Sequence, residues 1–362
     1  MQSWIHVIEW RANVHPQVTA LTDDRGVAYT YAELRTEVER TAGGWAAAGV
    51  RPGDIVAVVA KNSADFLVHA FALLRAGATP AFVNWRLSVR ELKEVLALVE
   101  PVAIAADAEF TGLVDAGWPG TGARVVIGGG AVPDTGPDTG PDTGWTDGGT
   151  LAGPVPPRPR LSGNDLLALV HTSGTTGRAK AIPLRHGALM MSVADFAIEI
   201  GDQVAGSRHL QILPLFHLGG FGQCMQALLT AGTVYIHTAF SPPATIDAIA
   251  ADRIEFFTAG PSIIDMLVAE VRRRGTADLS SLREIAYGTA PITPSSLAAA
   301  TETFGCRFRQ IYGNTESQSM ISLLAPCRRR SPAGWTGPRS AHHWPLGGRS
   351  RPPACRSATA PR

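Results

Sequence analysis

The chain has 362 residues, of which 45% are hydrophobic and 17% charged, and its formal net charge is +1. This balance is typical of a globular protein with well-buried cores, and it excludes a globally basic nucleic-acid-binding protein. No apolar run reaches the roughly 20 residues that a membrane helix needs. The start lacks a signal peptide's order of charges, and the four cysteines show neither metal-ligand nor disulfide spacing. These features predict a cytoplasmic protein.

The first 106 residues alternate between short apolar strands and longer helices. Two helix starts carry a capping box, in which Thr30 is followed by Glu33 and Ser88 by Glu91. Strands are predicted over 27–30, 55–60, 79–83 and 102–106, and helices over 31–48, 64–74 and 89–101. Short strands separated by helices of ten or more residues predict a parallel sheet with helices on its faces.

Residues 107–161 show a weaker pattern. Within them the tetrapeptide Pro-Asp-Thr-Gly recurs in tandem from residue 133 to residue 144. Such a low-complexity segment has no apolar face to bury. We therefore predict a mobile surface loop at about 131–144, to which the sequence assigns no role.

The alternation resumes at Asp165 and predicts a second α/β unit. Its predicted strands are 166–170, 209–213, 233–237, 255–259, 283–287 and 307–312, and its predicted helices are 185–200, 219–229, 244–251, 261–273 and 294–304. The predicted organisation is thus a first α/β subdomain at 1–160 and a second at 161–325.

Residues 326–362 differ in composition from the rest. They contain eight arginines and no acidic residue, which leaves 24 basic and 31 acidic side chains in residues 1–325. Leu346 is their only aliphatic residue larger than alanine. Because this segment cannot bury enough surface to offset its ordering entropy, it is predicted to be disordered. Since GC-rich codons translated out of frame give this composition, we hypothesise a frameshift or premature end near Ser322–Pro326.

A segment rich in glycine and hydroxyl residues links a buried strand to a lysine. It is Thr172-Ser173-Gly174-Thr175-Thr176-Gly177-Arg178-Ala179-Lys180. Glycines let backbone N–H groups approach phosphate oxygens, hydroxyls donate hydrogen bonds, and the lysine adds a positive charge. The segment therefore predicts polyphosphate binding, with a flexible linker as the alternative. It is not a Walker loop, because two residues separate Gly177 from the lysine.

This segment resembles the phosphate loop of the adenylate-forming (AMP-binding) superfamily, in its acyl-CoA synthetase branch. A second segment, Tyr312-Gly313-Asn314-Thr315-Glu316, is similar to the family's Tyr-Gly-x-Thr-Glu. The resemblance implies that Tyr312 stacks on adenine, that Thr315 contacts the α-phosphate and that Glu316 helps to hold Mg²⁺. An aromatic face, a hydroxyl donor and a hard oxygen ligand suit these partners.

Two further segments resemble the family's acyl and adenine pockets. His217 follows Leu-Pro-Leu-Phe, and the resemblance implies that it contacts or gates the substrate carboxylate, although a lone histidine is more often structural. Gly288, Ala290 and Pro291 are implied to line the adenine and acyl sites, with a simple strand-to-helix turn as the alternative. The phosphate loop has Ala-Lys-Ala around Lys180, where the family has Pro-Lys-Gly.

The resemblance implies a complete set of site residues. Those implied to act in catalysis are Thr315, Glu316 and His217, and Glu316 is the implied metal ligand. Those implied to bind the nucleotide are Thr172, Ser173, Gly174, Thr175, Thr176, Gly177, Lys180, Gly288, Ala290, Pro291 and Tyr312. ATP and Mg²⁺ are the implied cofactors, CoA is the co-substrate, and the acid is predicted to be a fatty acid. A homodimer stays open as a further alternative.

The implied fold is α/β: an acyl-CoA synthetase-like large N-terminal domain built of two α/β sheet subdomains packed together, with the small C-terminal domain missing. In the implied reaction a carboxylate attacks the α-phosphorus of MgATP, and CoA then displaces AMP. Metal, lysine and loop amides offset the repulsion between the two anions. Because the family's ribose-binding aspartate segment does not follow Glu316, we expect weak ATP binding and poor turnover.

Two alternative functions stay open and a third is disfavoured. A nucleotide-binding pseudoenzyme would keep the phosphate site without chemistry. An adenylating enzyme for an amino acid or another acid is not excluded, although no anionic residue is evidently placed for an ammonium group. A dinucleotide oxidoreductase is disfavoured, because the glycines at 128–130 are not a Gly-x-Gly-x-x-Gly motif opening a helix. The sequence does not determine the acid's chain length.

Overall fold

A computed structural model describes residues 3–128, 144–173 and 179–324, with the backbone alone at Ser173 and Ser319. The loop predicted at 131–144, apart from Gly144, lies outside these residues, as do the predicted tail at 326–362 and the centre of the phosphate loop at 174–178.

Within the described residues the strands match most of the predicted positions. They are β1 Thr19–Asp23, β2 Ala28–Thr30, β3 Ile55–Val59, β4 Thr79–Phe82, β5 Ala103–Asp107, β6 Arg124–Ile127, β7 Trp145–Asp147, β8 Leu166–Ser173, β9 Ala179–Arg185, β10 Arg208–Gln211, β11 Thr233–Ile236, β12 Phe256–Ala259, β13 Glu284–Tyr287, β14 Arg307–Asn314 and β15 Ser319–Leu324.

The helices likewise follow the predicted alternation. They are α1 Trp4–Val14, α2 Tyr31–Ala47, α3 Ala64–Arg75, α4 Val89–Val99, α5 Thr111–Gly117, α6 His186–Ile200, α7 Leu218–Leu229, α8 Pro242–Ala251, α9 Pro261–Arg274 and α10 Pro294–Phe304. All of these helices are too short or too polar to span a bilayer, a finding that covers residues 3–128, 144–173 and 179–324.

The strands form two sheets, each largely parallel. The first has the order β7-β6-β5-β3-β4-β8-β9, and only its last pair, β8 with β9, is antiparallel. The second has the order β15-β14-β13-β12-β10-β11-β1-β2, with antiparallel pairs at its two edges. The α/β fold with two sheets, predicted from the alternation of strands and helices, is confirmed.

Each sheet takes strands from both sides of residue 160. The β1–β2 hairpin joins the second sheet through β11, and the β8–β9 hairpin joins the first sheet through β4. The division between the sheets therefore does not coincide with the predicted boundary between residues 160 and 161. Periodicity predicts where strands occur, but the partner of each strand depends on long-range packing.

The predicted helix caps form as expected. The Thr30 hydroxyl oxygen accepts from the backbone N–H of Glu33, whose carboxylate accepts in turn from the N–H of Thr30, and Ser88 and Glu91 repeat the arrangement. Gly49, which follows the first of these helices, has a φ of +97°, a conformation that glycine adopts at little cost.

Several short elements were not predicted: α1, β1, α5, β6, β7 and β15. In α1 apolar residues occupy the exposed side as well, at Trp10 and Val14, so the sequence shows no clear amphipathic period. The strands β6 and β7 are only four and three residues long. They lie on either side of the low-complexity segment at 133–144, where the alternation of strands and helices is interrupted.

One large apolar cluster connects the two sheets. It contains Phe82 of β4 in the first sheet, Val234 of β11 in the second, and residues of α1, α2, α3 and α7. The ring of Phe82 lies 4.9 Å from that of Phe66 and 4.9 Å from that of Phe221, between centroids. Burying a phenylalanine stabilises a fold by roughly 1.5–3 kcal/mol, so Phe221 anchors α7 firmly against β4.

Candidate functional site

A cavity of about 440 Å³ lies at the carboxyl ends of the parallel strands β10, β12, β13 and β14. Helices α6 and α7 and the β14–β15 hairpin contribute to the rest of its wall. Its apolar lining consists of Leu189, Val193, Phe196, Leu213, Leu218, Ile311 and Met320. Ligands of α/β proteins bind beyond the carboxyl ends of the strands, and pockets of this volume suit small molecules.

Three of the predicted site residues line this cavity: His217, Gly288 and Thr315. Tyr312 and Glu316, which flank the Gly313–Thr315 part of the lining, are exposed and lie outside the wall. Ala290 and Pro291 are also exposed, beyond Thr289, which does line the cavity. The structure thus brings residues of three predicted segments to one place, while their chemical roles stay predictions.

His217 is the N-cap residue of α7 and has an extended backbone. Its ring is exposed on one side and lies 4.4 Å from the ring of Phe216, between centroids. Partial desolvation, helped by the positive charge of Arg86, lowers the pKa of His217. The imidazole is therefore neutral at neutral pH. It can donate or accept a hydrogen bond at the mouth of the cavity.

The turn before His217 is held by Asn62, which lies just after β3 in the first sheet. The Asn62 amide donates to the carbonyl oxygen of Leu213 at 2.9 Å, and its oxygen accepts from the N–H of Leu215 at 2.8 Å. It also donates to the carbonyl of His237 at 3.2 Å, and the side chain is buried. Asn62 therefore satisfies backbone groups that would otherwise be buried without partners.

The segment after β13 approaches β14 very closely. A Cβ atom added to Gly288 would lie 2.7 Å from the carbonyl oxygen of Ile311, so only glycine fits there without a shift. The next residue, Thr289, has a φ of +70°. For a β-branched residue this conformation is strained, and strain of this kind clusters at ligand sites.

Strands β14 and β15 form a hairpin that carries the Tyr-Gly-x-Thr-Glu segment. In its turn, the N–H of Gln318 donates to the carbonyl oxygen of Thr315 at 3.0 Å. The Gln318 side-chain oxygen accepts from the N–H of Arg185 at 2.7 Å, and the N–H of Met320 donates to the Ser192 hydroxyl at 3.3 Å. The hairpin is thereby tied to the start and middle of α6.

Strands β8 and β9 form a second hairpin, whose tip carries the phosphate loop. Thr172 lies directly opposite Lys180 across this hairpin, and the Lys180 side chain is exposed. The Thr172 hydroxyl is buried and has no hydrogen-bond partner within the described part of the chain. The Nδ1 atom of His171 contacts the carbonyl of Phe82 at 3.0 Å, while its Nε2 is buried without a described partner. Buried polar atoms without partners are rare, so these atoms next to the loop are suited to hydrogen bonds with a polar ligand.

Neither Thr172 nor Lys180 lines the cavity that holds His217 and Thr315. Contacts of Trp85 and Arg86 connect the two regions. The Arg86 guanidinium lies 3.9 Å from the Trp85 ring and 6.0 Å from the Phe216 ring. Trp85 packs against the same apolar cluster as Ala179, the residue before Lys180. Arg86 thereby places a positive charge near His217.

The polar side chains near the cavity and the β8–β9 hairpin fit a nucleotide held with a magnesium ion. Across the described ranges no group of three His, Cys, Asp or Glu side chains forms a metal site. Protein-bound Mg²⁺ needs only one or two carboxylates, because substrate phosphates and waters complete its coordination. The exposed carboxylate of Glu316 meets that requirement, and the unpartnered Thr172 hydroxyl can donate to a phosphate oxygen.

Comparison with known proteins identifies the family. Residues 8–342 match the model of the AMP-binding enzyme family, and the chain belongs to that family. It is 36% identical over 315 residues to a feruloyl-CoA synthase of Amycolatopsis sp., covering 87% of this chain and 60% of that protein. It is 33% identical over 341 residues to the indoleacetate–CoA ligase of Aromatoleum aromaticum, covering 94% of this chain and 65% of the ligase.

The fold is that of acyl-CoA synthetase-like structures. The structure of o-succinylbenzoate coenzyme A synthetase from Bacillus subtilis, in complex with ATP and magnesium, superposes with a TM-score of 0.73 at 25% identity. The alignment covers 88% of this chain and 62% of that one. The chain thus spans less than two thirds of the length of these relatives, and the predicted resemblance to the family's large N-terminal domain is confirmed.

Proposed function

We propose that this chain acts in ATP-dependent activation of a carboxylic acid to acyl-AMP, followed by transfer of the acyl group to CoA. The observation that carries the proposal is the cavity that joins His217, Gly288 and Thr315 at the carboxyl ends of parallel strands. Two of its relatives are CoA ligases of hydrophobic acids by name. The apolar wall supports a hydrophobic acid, and a fatty acid, as the sequence predicted, belongs to that class.

The nucleotide half of the proposed site combines two hairpins. Exposed Tyr312 would offer an aromatic face to adenine, the Thr315 hydroxyl would contact the α-phosphate, and Glu316 would hold Mg²⁺. We assign the binding of the triphosphate to the N–H, hydroxyl and ammonium donors of the segment that comprises Thr172, Ser173, Gly174, Thr175, Thr176, Gly177 and Lys180. Gly288, Ala290 and Pro291 border adenine and the acid.

The acid half places the carboxylate near His217. A neutral imidazole at the mouth of an apolar cavity can hold a carboxylate by one hydrogen bond. In the reaction a carboxylate oxygen bonds to the α-phosphorus and pyrophosphate leaves. Positive charge and oriented donors around the phosphates stabilise the added negative charge of the transition state, and Mg²⁺, when bound, would supply further charge stabilisation. The cytoplasmic location remains a prediction. A homodimer remains an open alternative.

Detection of the adenylate tests the proposal. Purified chain is incubated with ATP, Mg²⁺ and a panel of hydrophobic acids, and acyl-AMP and pyrophosphate are measured. We expect both products to form, slowly, and Thr315→Val to lower the rate at least about tenfold because a phosphate donor is lost. Thr301→Val, which removes a hydroxyl of α10 bonded to the carbonyl of Leu297, is the matched control. ATP binding without any acyl-AMP would instead indicate a nucleotide-binding protein without catalysis.

A further inference from the structure

Gln318 connects the two hairpins of the proposed nucleotide site. Its side-chain oxygen accepts a hydrogen bond of 2.7 Å from the backbone N–H of Arg185. Arg185 ends β9, the strand that carries Lys180 near its other end, while Gln318 lies in the turn between β14 and β15. Because β9 belongs to the first sheet and the other two strands belong to the second, this contact also joins the two sheets.

The backbone of Gln318 adopts a conformation that favours glycine. Its φ is +53°, in the left-handed region, where a side chain with a Cβ atom lowers stability relative to glycine. Residues held in such sparsely populated conformations cluster at functional sites, where surrounding contacts retain them. The hydrogen bond from Arg185 is a contact of this kind. A glutamine at this turn position therefore indicates that its side chain has a role.

Both ends of this contact lead to residues that the proposed function uses. On one side, the backbone N–H of Gln318 donates to the carbonyl oxygen of Thr315 at 3.0 Å, and both residues line the cavity. On the other side, the pairing of β8 with β9 runs from Arg185 to Lys180, which lies opposite Thr172. A change in the contact between Gln318 and Arg185 would therefore change the separation of the two hairpins.

We propose that Gln318 is a positioning residue, which holds Thr315 at the distance from Lys180 that an intact triphosphate requires. This role rests on the proposed function, in which the α-phosphate lies at Thr315 and the β8–β9 hairpin binds the remaining phosphates. A ligand that spans both hairpins depends on their separation, whereas a ligand bound by one hairpin does not. Since small misplacements of positioned groups have large effects, the contact with Arg185 acts on the whole nucleotide and not on its parts.

A whole nucleotide and its two halves test this role. Isothermal titration of the purified chain measures the affinities for MgATP, AMP and magnesium pyrophosphate, and it is repeated with Gln318→Met and Gln318→Gly. Methionine keeps the side-chain length but lacks the acceptor, and glycine removes the side chain. We expect both variants to bind MgATP about tenfold more weakly and to change the affinity for either half by less than about twofold, because only MgATP spans the two hairpins.

Thermal unfolding separates positioning from stability. Gln318→Gly removes an unfavourable conformation, so its melting temperature should be unchanged or higher although its affinity for MgATP falls. A purely structural role would move both quantities in the same direction. The matched control is Glu100→Gly at the exposed end of α4, where Glu100 has a φ of +44°. It should also keep or raise the melting temperature, and it should leave the affinity for MgATP unchanged.

The outcomes distinguish this inference from the proposed function. If the unmodified chain binds MgATP and either Gln318 variant binds it equally tightly, the positioning role is wrong while the proposed function is retained. An equal loss of affinity for MgATP, AMP and magnesium pyrophosphate would also overturn the role, because the residue would then support the site in general. If the unmodified chain does not bind MgATP, the proposed function fails together with the positioning role.

Discussion

The side-chain amide of Asn62 donates a hydrogen bond to the carbonyl oxygen of Leu213 at 2.9 Å, across the boundary between the two sheets. Replacing it with alanine would leave that carbonyl and the N–H of Leu215 buried without partners. We expect Asn62→Ala to lower the free energy of unfolding by about 1–3 kcal/mol. The turn before His217 should also loosen and weaken acid binding.

Urea denaturation and acid titration measure the two effects of Asn62→Ala. Asn13→Ala, at an exposed position, is the control and should change stability by less than about 0.5 kcal/mol. Unchanged stability and acid affinity in Asn62→Ala would show that water replaces the amide and that this contact does not position His217.

Gly288→Ala tests the close approach of the β13 end to β14. The new Cβ atom would meet the Ile311 carbonyl oxygen at 2.7 Å, so the backbone must move. We expect a loss of about 1–3 kcal/mol in the free energy of unfolding, together with weaker ATP binding because Thr315 lies on the displaced strand end. Thermal and urea unfolding measure the loss.

Gly112→Ala is the matched control for that substitution. Gly112 lies in α5, and beyond the backbone of its own helix no atom lies within 4 Å of the position that a new Cβ would take. Alanine should therefore be neutral or slightly stabilising there. Equal effects of the two substitutions would contradict the steric explanation for glycine at 288.

A buried ion pair links β13 to β14 below the cavity. The guanidinium Nε of Arg309 lies 2.5 Å from Oε1 of Glu284, and both side chains are almost fully buried. Arg309→Met should cost about 3–5 kcal/mol of stability, because among the described residues the carboxylate would keep only the partly exposed Arg307 as an ion-pair partner. The double variant with Glu284→Leu should recover much of that loss. A double variant no more stable than Arg309→Met would contradict this account.

Acid should destabilise the fold through buried histidines. Burial lowers the pKa of His69 to about 4 and that of His209 to about 3. Since the unfolded chain binds their protons near pH 6.5, stability is fully present above that pH and falls as the pH drops towards 4, by about 1.4 kcal/mol per unit for each histidine. Urea unfolding at several pH values measures this slope.

His69→Asn should make that slope shallower. In the native chain the indole N–H of Trp45 donates to Nδ1 of His69 at 3.2 Å, and an asparagine oxygen can accept in its place. The variant thus removes a titrating group while a partner for the indole remains. A pH dependence identical to that of the unmodified chain would show that His69 does not titrate in this range.

Local signals predicted much of the fold. Capping residues such as Thr30 and Ser88 mark helix starts because their hydrogen bonds involve only neighbours in sequence. The membership of β1 and β8 in the two sheets could not be predicted, because strand pairing depends on packing over long distances along the chain. Strands β6 and β7 were not predicted, because they flank the low-complexity segment at 133–144, where the alternation of strands and helices is interrupted.

In the candidate site, too, local motifs predicted some residues, while others depend on contacts between distant parts of the chain. Motif resemblance marked His217, Gly288 and Thr315, which the structure brings to one cavity. Asn62 was not marked, because an amide residue acquires its role only from the groups that surround it in three dimensions. For Asn62 a weak signal existed: a polar residue directly after a buried parallel strand often lies at a ligand site.

The central claim is that the loop from Thr172 to Lys180 and the hairpin bearing Thr315 bind one nucleotide. Isothermal titration with MgATP of the unmodified chain, Lys180→Ala, Thr315→Val and the surface control Lys93→Ala tests this most directly. We expect both site variants to weaken ATP binding about tenfold or more, with the control unchanged. Unchanged ATP affinity in Lys180→Ala, beside a clear loss in Thr315→Val, would contradict a shared site.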